Sequence, residues 1–158
     1  MRRSDREITD EEEMTAVLKK CDVCRLAFCD GEYPYIIPLN FGMSLSDGMP
    51  VLYFHGAKEG KKLELIRQNG RASFEADCSH RLVFNDQKKS CTMEYESVIG
   101  CGRVEMVADE EKHDALCRIM EHYYDEPMPF DDAVVPRTAV FKLTVEHMTG
   151  KRRTTVSK

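Results

Sequence analysis

From Cys91 to Val107 the sequence keeps a two-residue period, with Met93, Tyr95, Ser97, Ile99 and Cys101 on one side and Glu94, Glu96 and Val98 on the other. Successive side chains of a strand point to opposite faces, so this period over such a length predicts one long strand. Gly100 and Gly102 fall inside it as bend or bulge points. Long strands with internal glycine are typical of small curled barrels.

The neighbouring segments fit that expectation. Thr9 followed by Glu12 reads as a capping box, and Met14, Val17 and Leu18 give the helix behind it an apolar face to about Lys20. Val23 to Cys29 reads as a strand, Asp30-Gly31-Glu32 as a hairpin turn, and Tyr33 to Phe41 as the partner strand. Pro38 inside that strand marks a bulge, an edge, or backbone freed to face something else, because proline cannot donate to a ladder. Gly42 to Gly48 reads as a polar loop, Met49-Pro50 as a turn, and Arg71 to Ala76 as a strand. Cys78 to Lys89 reads as an irregular excursion. A helix is predicted from Asp109 to near Tyr124, with Ala115, Leu116, Ile119, Met120 and Tyr123 inward. Asp125 to Pro136 is a loop, and Thr138 to Val145 the last strand. About six strands, three helices and no regular βαβ alternation predict an α+β chain built on an antiparallel barrel, one domain over residues 1–158.

The net charge of −5 argues against general nucleic-acid binding. No apolar run approaches the roughly 18 residues that span a bilayer, so no membrane partner and a cytoplasmic location are expected. Seven cysteines are scattered in an odd number, which predicts reduced thiols. Cys21-x-x-Cys24 with Cys78-x-His80 could be assembled into a zinc site, but lacks the second tight pair of a zinc ribbon. Cys24, Cys29 and Cys101 are expected as small buried hydrophobes on strands.

The stretch Val51 to Gly70 carries the chemistry. Val51 to Phe54 is a strand, His55 and Gly56 end it, and Glu59 to Asn69 has helical spacing, with Leu63 and Ile66 inward and Gly70 as its stop. The start of a helix exposes unpaired N–H groups and a partial positive charge. A turn of small residues with Lys58, Lys61 and Lys62 at that point suits an anion, above all a phosphate. The spacing is not that of a P-loop, and the same lysines also read as a solvated helix face.

Several ordered motifs carry a resemblance: Arg2-Arg3-Ser4-Asp5-Arg6-Glu7-Ile8, Tyr33-Pro34-Tyr35 with Pro38-Leu39-Asn40-Phe41, Tyr53-Phe54-His55-Gly56-Ala57 with Gly60-Lys61-Lys62-Leu63, Ser97-Val98-Ile99-Gly100-x-Gly102, and Met148-Thr149-Gly150-Lys151. Together they resemble the nitroimidazole-resistance branch of the pyridoxamine 5′-phosphate oxidase-like flavoproteins, and they run along nearly the whole chain. The resemblance implies a six-stranded split β-barrel with peripheral helices, and a homodimer with FMN in each of two clefts between subunits. It places Pro38, Leu39 and Asn40 along the flavin ring and His55, Gly56 and Ala57 at the ring and ribityl edge. Lys61 and Lys62, with Lys58, would be at the phosphate, and Ser97 and Val98 on the long strand beside the flavin, with Lys151 reaching the site of the other subunit. Cys101 stands where many relatives carry an aromatic residue.

The activity implied is reduction of a small aromatic substrate, such as a nitroimidazole or quinone, by FMN that takes hydride from NAD(P)H, with His55 as the residue serving the chemistry. The alternative is a flavin-binding or haem-binding carrier or sensor without turnover, in which His55 is the candidate iron ligand. Oxidation of pyridoxamine phosphate itself ranks below both.

Overall fold

The computed structural model describes residues 3–126 and 129–155. In chain order the elements are β1 (Glu7–Ile8), α1 (Glu11–Lys20), β2 (Cys24–Asp30), β3 (Tyr33–Leu39), β4 (Gly42–Ser46), β5 (Met49–Gly56), α2 (Lys61–Asn69), β6 (Arg71–Asn85), β7 (Ser90–Met106), α3 (Lys112–Glu121) and β8 (Ala139–Arg153). All pairings are antiparallel, in the order β3-β2-β6-β7-β8-β5-β4, with β1 added beside β8.

The two edges of this sheet, β3 and β4, do not pair with each other, yet only Asn40 and Phe41 separate them in the chain. Consecutive Cα atoms lie about 3.8 Å apart, so Leu39 and Gly42 are within about 11 Å. The sheet must therefore curl enough to bring the end of β3 near the start of β4. Phe28, Phe41, Phe54, Phe74 and Phe141 fill the space this curl encloses, together with Leu18, Leu26, Leu52 and Leu143, all at most 2% exposed. A smaller cluster of Val107, Ala115, Leu116, Ile119 and Val140 fixes α3 to the sheet.

The structure corrects several sequence expectations. The cap of α1 is Asp10, not Thr9: its carboxylate accepts the N–H groups of Glu12 at 2.7 Å and Glu13 at 3.3 Å. An anionic acceptor at a helix start gains from the dipole as well as from the bond, and the helix begins one residue later to use it. Gly42–Ser46 is a strand rather than a loop, and Met49-Pro50 belongs to β5. The deciding signal is Asp47-Gly48, with φ of 52° and 84°, which are the two positive values a tight type I′ hairpin turn demands.

Cys78 to Asn85 is not irregular but continues β6. A bulge between Cys78 and Arg81, with Ser79 at φ 60°, shifts the register, after which Leu82 pairs with Met93 and Phe84 with Cys91. The alternation is broken by the bulge, so the sequence period vanishes while the strand goes on. β8 likewise runs past Val145 to Arg153.

On β7 the inward side is the one bearing Glu94, Glu96, Val98, Gly100, Gly102 and Val104. Both carboxylates are satisfied. Glu96 accepts from Lys20 and Ser79 at 2.9 Å and from Arg152 at 2.5 Å, tying α1 to the sheet. Glu94 binds Arg81 at 2.7 Å and both the backbone N–H and the hydroxyl of Thr155.

The Thr155 and Arg81 bonds hold Glu94 down at about 2. Burial pushes Glu96 up, but Lys20, Arg152 and Ser79 outweigh it and leave it below the usual carboxylate range. A depressed folded-state value means stability that is present above the unfolded value of about 4.3 and is lost as pH falls through the folded one. Urea midpoints are therefore expected to fall steadily below about pH 4.5, and less steeply in Glu96→Gln. An equally steep fall in that variant would remove Glu96 from the account.

Candidate functional site

The outward face of the sheet and the start of α2 hold nearly all the residues singled out in the sequence, in two groups. The first lies where β5 passes into α2. His55 and Gly56 end β5, opposite Val140 and Ala139 of β8. Ala57 and Lys58 are exposed in the turn, and Gly60 caps α2 without a side-chain bond to its N–H groups. The helix start is thus open to an acceptor.

The lysines divide. The Lys62 ammonium lies over Gly56, where a Cβ would meet its Nζ at 2.7 Å, so the glycine makes room for the cation beside His55. Lys61 turns away and binds Asp30 at the end of β2, at 2.6 Å. Its hydrogen bond to Asp30 raises its pKa. Lys58 is exposed and contributes positive potential at Asp109. Burial on one side, and then the Lys62 charge, lower the His55 imidazole below its ordinary value, which makes the neutral ring the resting form at neutral pH.

The second group lies at the other end of the sheet. Pro38 is exposed on the edge strand β3, opposite Arg25; the edge position accounts for a residue that cannot donate to a ladder. Leu39 packs partly on the core. Asn40 donates its amide to the Asp22 carbonyl at 3.2 Å and to Tyr123 Oη at 3.3 Å. Ser97 faces outward and pairs with Lys151 of β8.

Val98 does not belong to this face. It is fully buried, because the strand alternation turns it into the core, so only its backbone could meet a ligand. Cys29 and Cys101 are exposed on the outward face, against the expectation of burial, while Cys24 is buried and its thiol is pushed up to about 12 by that burial.

Within one protomer the two groups are far apart. Lys61 is tied to Asp30 at one end of β2, whereas Leu39 pairs with Cys24 at the other, about 20 Å away along the strand. Lys151 is twelve residues along β8 from Ala139, the partner of Gly56.

Three contributors escape a sequence reading. Tyr123 Oη donates to the Asp22 carbonyl at 2.8 Å and accepts the Phe41 N–H at 3.0 Å, clamping the exit of β3 to the α1–β2 loop. His122 Nε2 lies 2.7 Å from the Cys21 carbonyl, and its ring packs on Phe41 at 4.3 Å. Tyr123 is legible as an apolar position of the helix the sequence predicts from Asp109, but it falls just past the end of α3, and nothing in its spacing announces a clamp. Asp30 ends β2 beside the hairpin turn, where a carboxylate is ordinary.

This arrangement coincides with a known architecture. The pyridoxamine 5′-phosphate oxidase family matches over residues 10–152. The chain belongs to that family. It is 33% identical to a protein of Bacteroides thetaiotaomicron assigned to 5-nitroimidazole antibiotic resistance, covering 92% of this chain and 86% of that one with a TM-score of 0.79.

A FAD-binding protein of Mesorhizobium loti is 25% identical, with 94% and 98% of the two chains covered and a TM-score of 0.66. A FAD- and haem-binding protein of Mycobacterium smegmatis, 17% identical, shares the fold at a TM-score of 0.79 over 95% of this chain and 74% of that one. A search of curated proteins finds no match. The split barrel of the family accounts for the curl imposed by the short link between β3 and β4. Among the described residues no helix is long and apolar enough to cross a membrane.

Proposed function

We propose that this member of the family binds FMN in its split barrel, acts as a cytoplasmic homodimer, and reduces small aromatic compounds of the nitroimidazole type with NAD(P)H as electron donor. The observation that carries the reading is the open start of α2, with the Lys62 ammonium over Gly56 and a neutral His55 alongside. A phosphate fits there: it accepts the free N–H groups, meets the cation and gains from the helix dipole. Lys62 is the phosphate ligand favoured; Lys61 would have to leave Asp30 to join it. Bound flavin supplies the hydride and electron transfer, and the chain supplies position, charge and proton control.

The separation of the two groups along β2 supports the dimer. The Lys61–Asp30 pair and Leu39 stand about 20 Å apart along β2, and a second copy docked on the outward face could bring Pro38, Ser97 and Lys151 to a flavin held at Lys62. That face carries exposed Ile36, Leu82, Phe84, Met93 and Ile99, from 48% to 65% exposed. Such an apolar surface is an interface more often than a solvated one.

The test is the visible spectrum and mass of the purified protein, with FMN and riboflavin affinities measured in parent and Lys62→Met. Flavin bands on a particle of twice 18.2 kDa are expected, together with a preference for FMN that falls about tenfold or more in the variant. Flavin bound on a stable monomer would remove the dimer. Unchanged FMN preference would return Lys62 to a solvated helix face.

A second reading, a haem or flavin carrier without turnover, has one observation in its favour: a neutral, exposed imidazole at His55 suits an iron ligand. A Soret band in place of flavin bands would establish the haem form of it.

A further inference from the structure

The thiols of Cys21 and Cys78 meet at one atom. Cys21 follows the last residue of α1 and donates its S–H to the Val17 carbonyl, with Sγ 3.3 Å from the oxygen; Cys78 Sγ reaches the same oxygen at 4.0 Å. The two side chains come to this spot from different elements. The register of β2 on β6 brings them there: Cys24 is opposite Ala76, so the chain leaving α1 runs past Cys78. Cys78 is the last of the inward row Ala72, Phe74 and Ala76 before the bulge, and it packs partly on the core. It lies opposite the buried Glu96, on the side of the sheet away from the outward face.

The two thiols differ in access. Cys21 is 1% exposed, and burial pushes it up, with the neighbouring Cys78 adding to the effect. Cys78 is half-buried beside the exposed Ser79, whose Oγ is 3.6 Å from its sulfur. An oxidant from solvent therefore reaches Cys78 first, and Cys21 is the second thiol in line. The backbone of Cys21 is held on both sides: its N–H donates to the Leu18 carbonyl at 3.1 Å, and its carbonyl lies 2.7 Å from His122 Nε2. Cys78 instead adjoins the register shift that precedes Arg81, where the strand can give.

We propose that Cys21 and Cys78 are a reversible redox pair that a hydroperoxide oxidises to a disulfide. The Cys78 sulfur attacks one oxygen of hydrogen peroxide: the O–O bond breaks, the sulfur becomes a sulfenic acid and one water leaves. The Cys21 sulfur then attacks the Cys78 sulfur. The S–S bond forms, the S–O bond breaks, and the Cys21 proton leaves with the hydroxyl as a second water. Two electrons pass from the two sulfurs to one peroxide. The bridge ties the end of α1 to the middle of β6 and closes a long loop, which removes freedom from the unfolded chain. The proposal does not rest on the flavin reading.

The test treats the full-length protein with hydrogen peroxide in slight molar excess, blocks the remaining thiols in denaturant and maps linked peptides by mass spectrometry. A Cys21–Cys78 linkage that dithiothreitol reverses is expected, with a melting temperature about 5 °C or more higher in the bridged form. In Cys21→Ala the linkage and the rise should both be lost, while a sulfenic-acid probe labels Cys78. Cys29, Cys91 and Cys101 are exposed and report unselective oxidation in the same map. The map of the parent chain decides the linkage even if Cys21→Ala folds poorly. Both thiols left free, Cys78 joined to another cysteine, a linkage formed only in denaturant, or a bridged form no more heat-stable than the reduced one would each overturn the proposal.

Discussion

His55→Ala should leave flavin and dimer in place and slow reduction of a nitroaromatic substrate by about a hundredfold, the lower range for loss of a general acid or base. The expectation rests on where the imidazole stands. It ends β5 beside the Lys62 ammonium, exposed on one edge, and its partial burial and that cation keep it neutral at neutral pH. A neutral ring can accept a proton or a hydrogen bond at the reacting edge of a ligand whose phosphate sits on α2. Since the folded-state value is depressed, protonation comes only below the ordinary value of about 6.5, and the rate should fall as pH drops below it. His55→Gln keeps a hydrogen-bonding group that never titrates, so its slower rate should be flat over the same range. A parent rate in His55→Ala with flavin intact would confine His55 to ending the strand. Loss of flavin or of the dimer in that variant would make its role structural.

Much of the fold was legible because period and turn chemistry are local. The seventeen-residue β7 showed in its alternation, α1 and α2 in their spacing, and the β2–β3 hairpin in Gly31. What escaped lay where a local rule is suspended. The bulge at Ser79 hides the far half of β6, and Asp47-Gly48 lies in a polar stretch that reads as a loop although it is the turn that makes Gly42–Ser46 a strand. At the candidate site the sequence groups His55, Gly56 and the lysines because strand end and helix start are contiguous in the chain; the structure keeps Lys62 over Gly56 and turns Lys61 to Asp30. The sequence could not separate Lys61 from Lys62, because that depends on Asp30, thirty-one residues away. Nor could it show Val98 turned into the core: alternation fixes which residues share a face, not which face is inside.

Gly102→Ala should be among the most damaging single-methyl changes, costing about 3 kcal/mol or more, a large part of the 5–15 kcal/mol typical of a domain. A Cβ there would stand inside the van der Waals envelope of the Thr144 carbonyl oxygen, 2.9 Å from its carbon and 3.0 Å from Leu143 Cδ2. The first two atoms are backbone and cannot swing aside. Gly102 also adjoins the register shift between β7 and β8, where Cys101 pairs with His147 but Gly102 with Val145, leaving Glu146 over.

That shift sets which residues of the distal strands face outward. A methyl that forces β8 away there disturbs the register of Ser97 on Lys151, and a one-residue slip would turn one of them inward. A drop in melting temperature of about 10 °C is expected, with less flavin retained. The control is Gly31→Ala, where the added Cβ meets nothing within 4 Å and the cost is only that of a left-handed backbone at φ 64°, about 1 to 2 kcal/mol. Equal losses in the two variants would mean that backbone freedom, rather than the close approach of β7 to β8, is what selects glycine at position 102.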